Sequence, residues 1–356
     1  MDSGIVTIDL DALARNYDLI RRAAAPAECA AVVKANAYGL GIAAVATHLF
    51  DAGCRQFFVA TVGEGLELRT ILPESTIYVF EGVDAEAARH FIDAQLTPVL
   101  NTLDQIRHWA GTGKSAIVHL DTGMTRLGLS ASDVDALASK HSVLKHLRID
   151  YWMTHLACAE LPGHRLNAQQ LERFARMTAK LPPAKHSIGN SAGTLLGPEY
   201  RGDLVRPGIA LYGGNPFSTE PNPVEAVVTL KAKVLQIREA DESLTIGYGA
   251  TFLVEPGTRL AIVAAGYADG YPRSLSNSGI ASVDGAKVPV VGRVSMDLLC
   301  LDVTELPRDA IKAGQFVHLI GGGIAIDDVA EAAGTISYEL LTGLSSRLQR
   351  KYHRST

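Results

Sequence analysis

Through the first two thirds of the chain, short apolar runs alternate with longer stretches in which apolar residues recur every three or four positions. The runs at 30–34, 57–60, 76–80, 97–100, 116–120, 150–155, 185–188 and 203–206 are too short for helices and predict buried strands. The segments between them, such as 41–50 and 166–180, carry the helical period. An opening helix over 10–22 would set Leu10, Leu13, Ala14, Tyr17 and Ile20 on one face. Eight strand-then-helix units in about 200 residues predict a (β/α)8 barrel of the TIM type, an α/β fold.

Near Val227 the period changes. Residues 230–237 alternate apolar with basic or polar side chains, and the runs at 260–265, 281–283, 288–291 and 316–320 are separated by Gly, Asp and Pro, which predicts a smaller, mostly-β domain. The Gly- and Pro-rich stretch 213–223 is the natural linker, giving residues 1–220 to the barrel and 221–356 to the C-terminal β-rich domain. The tail at 336–352 reads as partly helical, and its Arg347, Arg350 and Lys351 read as a solvated basic face.

Composition adds exclusions. A chain of 356 residues, 47% hydrophobic and 20% charged, can bury two cores and is not a disordered or low-complexity polymer. A net charge of −5 offers no general attraction to nucleic acid or anionic lipid. No apolar run approaches the roughly 20 residues that cross a bilayer, and the start lacks a basic segment followed by an apolar one. A cytoplasmic protein is expected. Cys29, Cys54, Cys158 and Cys300 lie far apart without Cys-x-x-Cys or Cys/His spacing, so free thiols are expected rather than disulfides or a metal site.

Candidate chemistry gathers where the predicted strands end, the face on which barrel active sites are built. Lys34 follows Ala31-Val32-Val33; an amine there is partly desolvated, which lowers its pKa and suits Schiff-base chemistry, although a lysine snorkelling to water gives the same pattern. Arg126, in 121–128, offers a guanidinium to a carboxylate or phosphate. His155 ends the sixth strand, Ser191 follows the seventh and Arg206 ends the eighth. Alone, His155 also reads as a structural histidine and Arg206 as a surface ion-pair partner. Ser191, with free backbone N–H groups at Gly208 and Ile209, reads as a phosphate cradle. An imine-forming lysine, a phosphate cradle and no metal ligands together point to pyridoxal 5′-phosphate.

The segment Ala31-Val32-Val33-Lys34-Ala35-Asn36-Ala37-Tyr38-Gly39 closely resembles the cofactor-lysine signature of bacterial alanine racemases. The resemblance continues in order through 121–128, 190–192, 206–213, 247–251, 266–270 and 291–297, and so covers both predicted domains. It implies a pyridoxal-phosphate isomerase that interconverts L- and D-alanine, the latter a peptidoglycan precursor, and a head-to-tail homodimer with shared active sites. It further implies that Lys34 holds the cofactor and acts on the D-enantiomer, while Tyr248 of the partner subunit acts on the L-enantiomer. Arg126 and the backbone of Met296 would bind the substrate carboxylate. Tyr38, Ser191, Gly208 and Ile209 would bind the phosphate, Arg206 would face the pyridine nitrogen with His155 close by, and Tyr267 with Asp297 would shape the entrance. Taken locally, Tyr248 also reads as a turn tyrosine and Met296 as core filler.

Two positions depart from the family pattern. His119 stands where relatives often carry a lysine, modified to a carbamate, that orients the substrate-binding arginine; another acceptor or a bound anion would have to substitute. Ser346 stands where some relatives place a pocket-narrowing tyrosine, and the smaller residue would admit serine beside alanine. The rival readings are a broader alanine/serine racemase, a barrel-type decarboxylase of basic amino acids using the same cofactor, and a non-catalytic cofactor carrier. The carrier resembles only an N-terminal half and leaves the second domain unexplained.

Overall fold

The computed structural model describes residues 3–139 and 144–354. The chain divides into two compact units, one of residues 13–211 and 215–224, the other of residues up to 12, 212–214 and those from 225 onward.

The first unit is built on a 9-stranded sheet in which every pairing is parallel. Its two ends, Glu28–Cys29 and Ala31–Val32, are halves of one stretch interrupted at Ala30, pairing with Leu204–Val205 on one side and Gln56–Val59 on the other. The sheet therefore returns to its starting strand as a barrel, and the remaining strands follow in chain order: Thr76–Val79, Leu96–Leu100, Ser115–His119, Arg148–Met153 and Lys185–Ser187. Phe57, Phe58, Val59, Ile77, Val79, Val99, Ile117 and Val118 are fully buried, which explains why these strands appear in the sequence as unbroken apolar runs. Helices Ile42–Asp51, Val62–Ile71, Leu103–Ala110 and Arg165–Thr178 separate successive strands.

The opening helix is Leu10–Ala24, and it buries Leu10, Leu13, Tyr17 and Ile20, with Ala14 partly exposed. Before it lies Gly4–Asp9, a strand absent from the sequence prediction, which belongs to the second unit and pairs antiparallel with Val228–Glu239 and parallel with Gln349–His353.

The second unit is an 8-stranded sheet. Its long strand Val228–Glu239 pairs in its first half with Phe316–Ile320 and, past an irregularity between Val234 and Gln236, with Arg259–Val263. That change of partner closes the sheet on itself, since Arg259–Val263 leads back through Leu299–Asp302, Ala286–Val291 and Ile280–Val283 to Phe316–Ile320. The tail contains the short helix Ser337–Gly343 and the edge strand Gln349–His353. The basic cluster is largely solvated, as the sequence suggests, with Arg347 and Lys351 exposed and Arg350 partly buried. Arg347 pairs with Asp297 at 2.8 Å and Asp269 at 3.5 Å, and Arg350 donates to the carbonyls of Ser345 and Leu344. Among the described residues no helix is long and apolar enough to cross a membrane.

Candidate active site

Because the barrel strands are parallel, their C-terminal ends share one rim. The rim carries Lys34, Asn101, His119, Thr154, His155 and Arg206 at or just beyond those ends.

Lys34 begins a turn of the wrong hand. Ala35, Asn36, Ala37 and Tyr38 have φ of 52°, 54°, 52° and 55°, a left-handed helical run of non-glycine residues that costs about 1–2 kcal/mol per residue. Hydrogen bonds from outside the turn hold it: Glu64 Oε1 accepts the Ala35 N–H at 2.7 Å, and Asn36 Oδ1 accepts the Ile42 N–H at 2.7 Å. Glu64 also accepts the Ala60 N–H through Oε2, and its own N–H donates to Thr61 Oγ1. The sequence carries a signal for this anchor in Thr61-Val62-Gly63-Glu64, which has the spacing of a capping box. Lys34 itself is half-buried, its Nζ 5.7 Å from the Phe80 ring centre; desolvation first, and the charge of Arg126 second, lower its pKa while Glu64 opposes them.

Arg206 is held from three sides. Nη1 donates to Ser187 Oγ at 2.6 Å, while Nη2 donates to the carbonyls of Thr154 at 2.8 Å and Ile188 at 3.2 Å and lies 3.4 Å from His155 Nδ1. Burial pushes its pKa down to about 9, so it stays charged at neutral pH. Its Nε is buried without a partner. His155 is kept neutral by burial and by the surrounding cations Arg206, Arg126 and Lys34, with His119 adding to the shift.

Ser191, Tyr38, Gly208 and Ile209 meet on the same rim and are buried. The Gly208 N–H, expected free, donates to Ser191 Oγ at 2.9 Å, and the Ala210 N–H reaches the same oxygen at 3.3 Å. A Cβ on Gly208 would overlap the Tyr38 hydroxyl, so only glycine allows this phenol to close over the turn. These features fit pyridoxal phosphate: a desolvated amine, a cluster of small donors for a phosphate, and an orphaned guanidinium N–H suited to a ring nitrogen.

Arg126 lies on an exposed loop organised by Asp121, whose Oδ1 accepts the N–H groups of Gly123, Met124 and Thr125 at 2.9–3.1 Å. Arg126 makes no hydrogen bond or ion pair, with a carboxylate or otherwise, among the described residues. Asn101, Gln170 and Arg173 support this part of the rim and were not anticipated. Gln170 bridges Thr122 and the His155 carbonyl, and Arg173 donates to the Thr122 carbonyl.

The second unit presents the remaining candidates on its own surface. Tyr248 opens the short turn Tyr248–Ala250 and is 72% exposed, and Met296, read locally as core filler, is 53% exposed. The Tyr267 and Met296 segments are joined by bonds from Tyr267 N–H to the Ser295 carbonyl and from Ala268 N–H to the Met296 carbonyl. Asp297 is fixed by Arg347, next to exposed Ser346.

The family profile "Alanine racemase, N-terminal domain" matches residues 8–216, and "Alanine racemase, C-terminal domain" matches residues 227–352. An alanine racemase of Rhodospirillum rubrum is 45% identical over 98% of this chain and 96% of its own length. A catabolic alanine racemase of Agrobacterium fabrum is also 45% identical, over 98% of this chain and 92% of its own. Among solved structures, alanine racemase from Bartonella henselae with covalently bound pyridoxal phosphate superposes with a TM-score of 0.95 at 39% identity, covering 99% of this chain and 100% of that one.

Proposed function

This chain belongs to the alanine racemase family, isomerases of alanine that carry pyridoxal phosphate, and from that premise we propose how its own residues divide the reaction. The observation that carries the reading is the rim itself, where the desolvated Lys34 amine, the Ser191–Gly208 cluster and the unpartnered Arg206 Nε occur together. When bound, pyridoxal phosphate supplies an electron sink that acidifies the hydrogen on the amino acid's α-carbon. Lys34 would hold the cofactor covalently, and Tyr38, Ser191 and the backbone of Gly208 and Ile209 would hold its phosphate. Arg206 would offer its Nε hydrogen to the ring nitrogen and, because it keeps its own proton, would leave the ring a weaker electron sink. Neutral His155 stands with Nδ1 3.4 Å from Arg206 Nη2.

Racemisation removes a proton from one face of the α-carbon and returns one to the other, so two bases on opposite faces are the simplest arrangement. Lys34 moves the proton of the D-enantiomer, and Tyr248 of the partner subunit moves that of the L-enantiomer. Arg126 and the Met296 backbone bind the substrate carboxylate, with Tyr267 and Asp297 at the entrance. In this reading residues 1–220 carry the cofactor and 221–356 complete the partner's site, the opening strand serving the latter's sheet. Exposed Tyr248, Met296 and Tyr267 support a homodimer, since an interface would cover them. The four free thiols suit the reducing cytoplasm.

Shared sites make a direct prediction. Inactive Lys34→Ala and Tyr248→Phe chains, unfolded together and refolded as a mixture, form mixed dimers in which one site has both wild-type residues. Random pairing regenerates about a quarter of the wild-type activity from a two-fold dimer. A mixture no more active than its components would show that each chain's Tyr248 serves its own barrel.

A further inference from the structure

His119 ends the strand Ser115–His119 and is 6% exposed. Its Nδ1 lies 2.9 Å from Asn101 Oδ1. The orientation of that amide is set on its other side, because Asn101 Nδ2 donates to the carbonyls of Phe80 and Val99, both at 2.9 Å. The oxygen therefore faces the imidazole, and the ring hydrogen sits on Nδ1. Nε2 is left as a lone-pair acceptor, and it is buried with no partner. Burial first, then Arg206 and Arg126 against the opposing Asp121, pushes the His119 pKa down to about 3, so the ring remains an acceptor throughout the physiological range.

A buried acceptor without a donor is costly, and the nearby donors are few. Arg206 has committed Nη1 and Nη2 to Ser187, Thr154 and Ile188, and its Nε faces the cofactor in the reading above. Arg126 has no hydrogen bond or ion pair among the described residues, and its charge is felt by His119, His155 and Lys34. The loop that bears it lies against the imidazole. A Cβ on Gly128 would stand 3.1 Å from His119 Cγ and 2.8 Å from the Asp121 nitrogen, so glycine lets the loop settle on the ring.

We propose that His119, clamped by Asn101, is a positioning residue whose Nε2 accepts a guanidinium N–H from Arg126 and holds that side chain for the substrate carboxylate. The proposal rests on the reading of Arg126 as the carboxylate-binding residue. A neutral acceptor orients the guanidinium without offsetting its charge, so all of that charge faces the substrate. No bound anion is needed.

The test is steady-state kinetics of the holoenzyme. His119→Leu should raise the KM for alanine about tenfold or more while kcat changes less and the bound cofactor's absorption spectrum is unaltered. His119→Gln, whose Oε1 falls where Nε2 stood, should restore a KM close to wild type. The wild-type KM should not respond to added chloride or bicarbonate. A KM that falls as either anion is added puts an anion on Arg126 and overturns the proposal, a result that needs no variant to fold. An unchanged KM in His119→Leu with a raised KM in Arg126→Lys overturns the proposal alone. Unchanged KM in both variants overturns the carboxylate reading of Arg126 as well.

Discussion

Lys34→Ala is expected to lower kcat for racemisation by at least about 10⁴-fold, because one residue performs two separate tasks. Its amine makes the covalent bond to the cofactor, and it is also the base on one face of the substrate. Both tasks need an unprotonated amine near neutral pH. Burial and the Arg126 charge lower the Lys34 pKa, so more of the amine is neutral at a given pH than in an exposed lysine, and reactivity is gained on the acid side of the ordinary lysine range. Borohydride treatment followed by denaturing mass spectrometry checks the covalent task. Cofactor mass should be fixed to the wild-type chain and absent from Lys34→Ala. A variant that kept activity within about tenfold of wild type would remove Lys34 from the chemistry.

Tyr248→Phe is expected to lower racemisation by about 10²–10⁴-fold while leaving a directional trace in hydrogen exchange. The equilibrium constant between enantiomers is unity, so kcat/KM must fall equally for L- and D-alanine, and activity in one direction alone cannot reveal which face lost its base. Exchange of the α-hydrogen is free of that constraint. In deuterium oxide, D-alanine should still exchange through Lys34 without inverting, whereas exchange into L-alanine should be suppressed with racemisation. Equal exchange into both enantiomers at wild-type rates would remove Tyr248 from proton transfer. Exchange suppressed in D-alanine alone would invert the assignment of faces.

The barrel was legible because its strands are buried on both faces and therefore stand as apolar runs, such as Phe57 to Val59 and Ile117 to Val118. The rim followed from reading what came next: Lys34, His155 and Arg206 all sit where those runs stop. The left-handed turn after Lys34 was not legible. Ala35 and Ala37 are strong helix formers, and what holds them at positive φ includes Glu64, a residue on another helix. The opening strand was missed because Ile5-Val6-Thr7-Ile8 is brief and its pairing partners, Val228–Glu239 and Gln349–His353, lie at the far end of the chain. Distance along the sequence also hid the Asn101–His119 pair, made where two different strands end, and the exposed Arg347–Asp297 pair. Overall identity does not separate a biosynthetic from a catabolic role. Relatives named biosynthetic and catabolic, both from Agrobacterium fabrum, are each 45% identical to this chain.

Inversion of alanine by movement of the α-proton between two faces can be followed by incubating the wild-type holoenzyme with L-alanine in deuterium oxide and recording optical rotation together with α-deuterium content. Rotation should decay to zero, and the D-alanine formed should carry deuterium at the α-carbon. Rotation that persists, or carbon dioxide released from a basic amino acid while alanine is left untouched, would contradict that inversion.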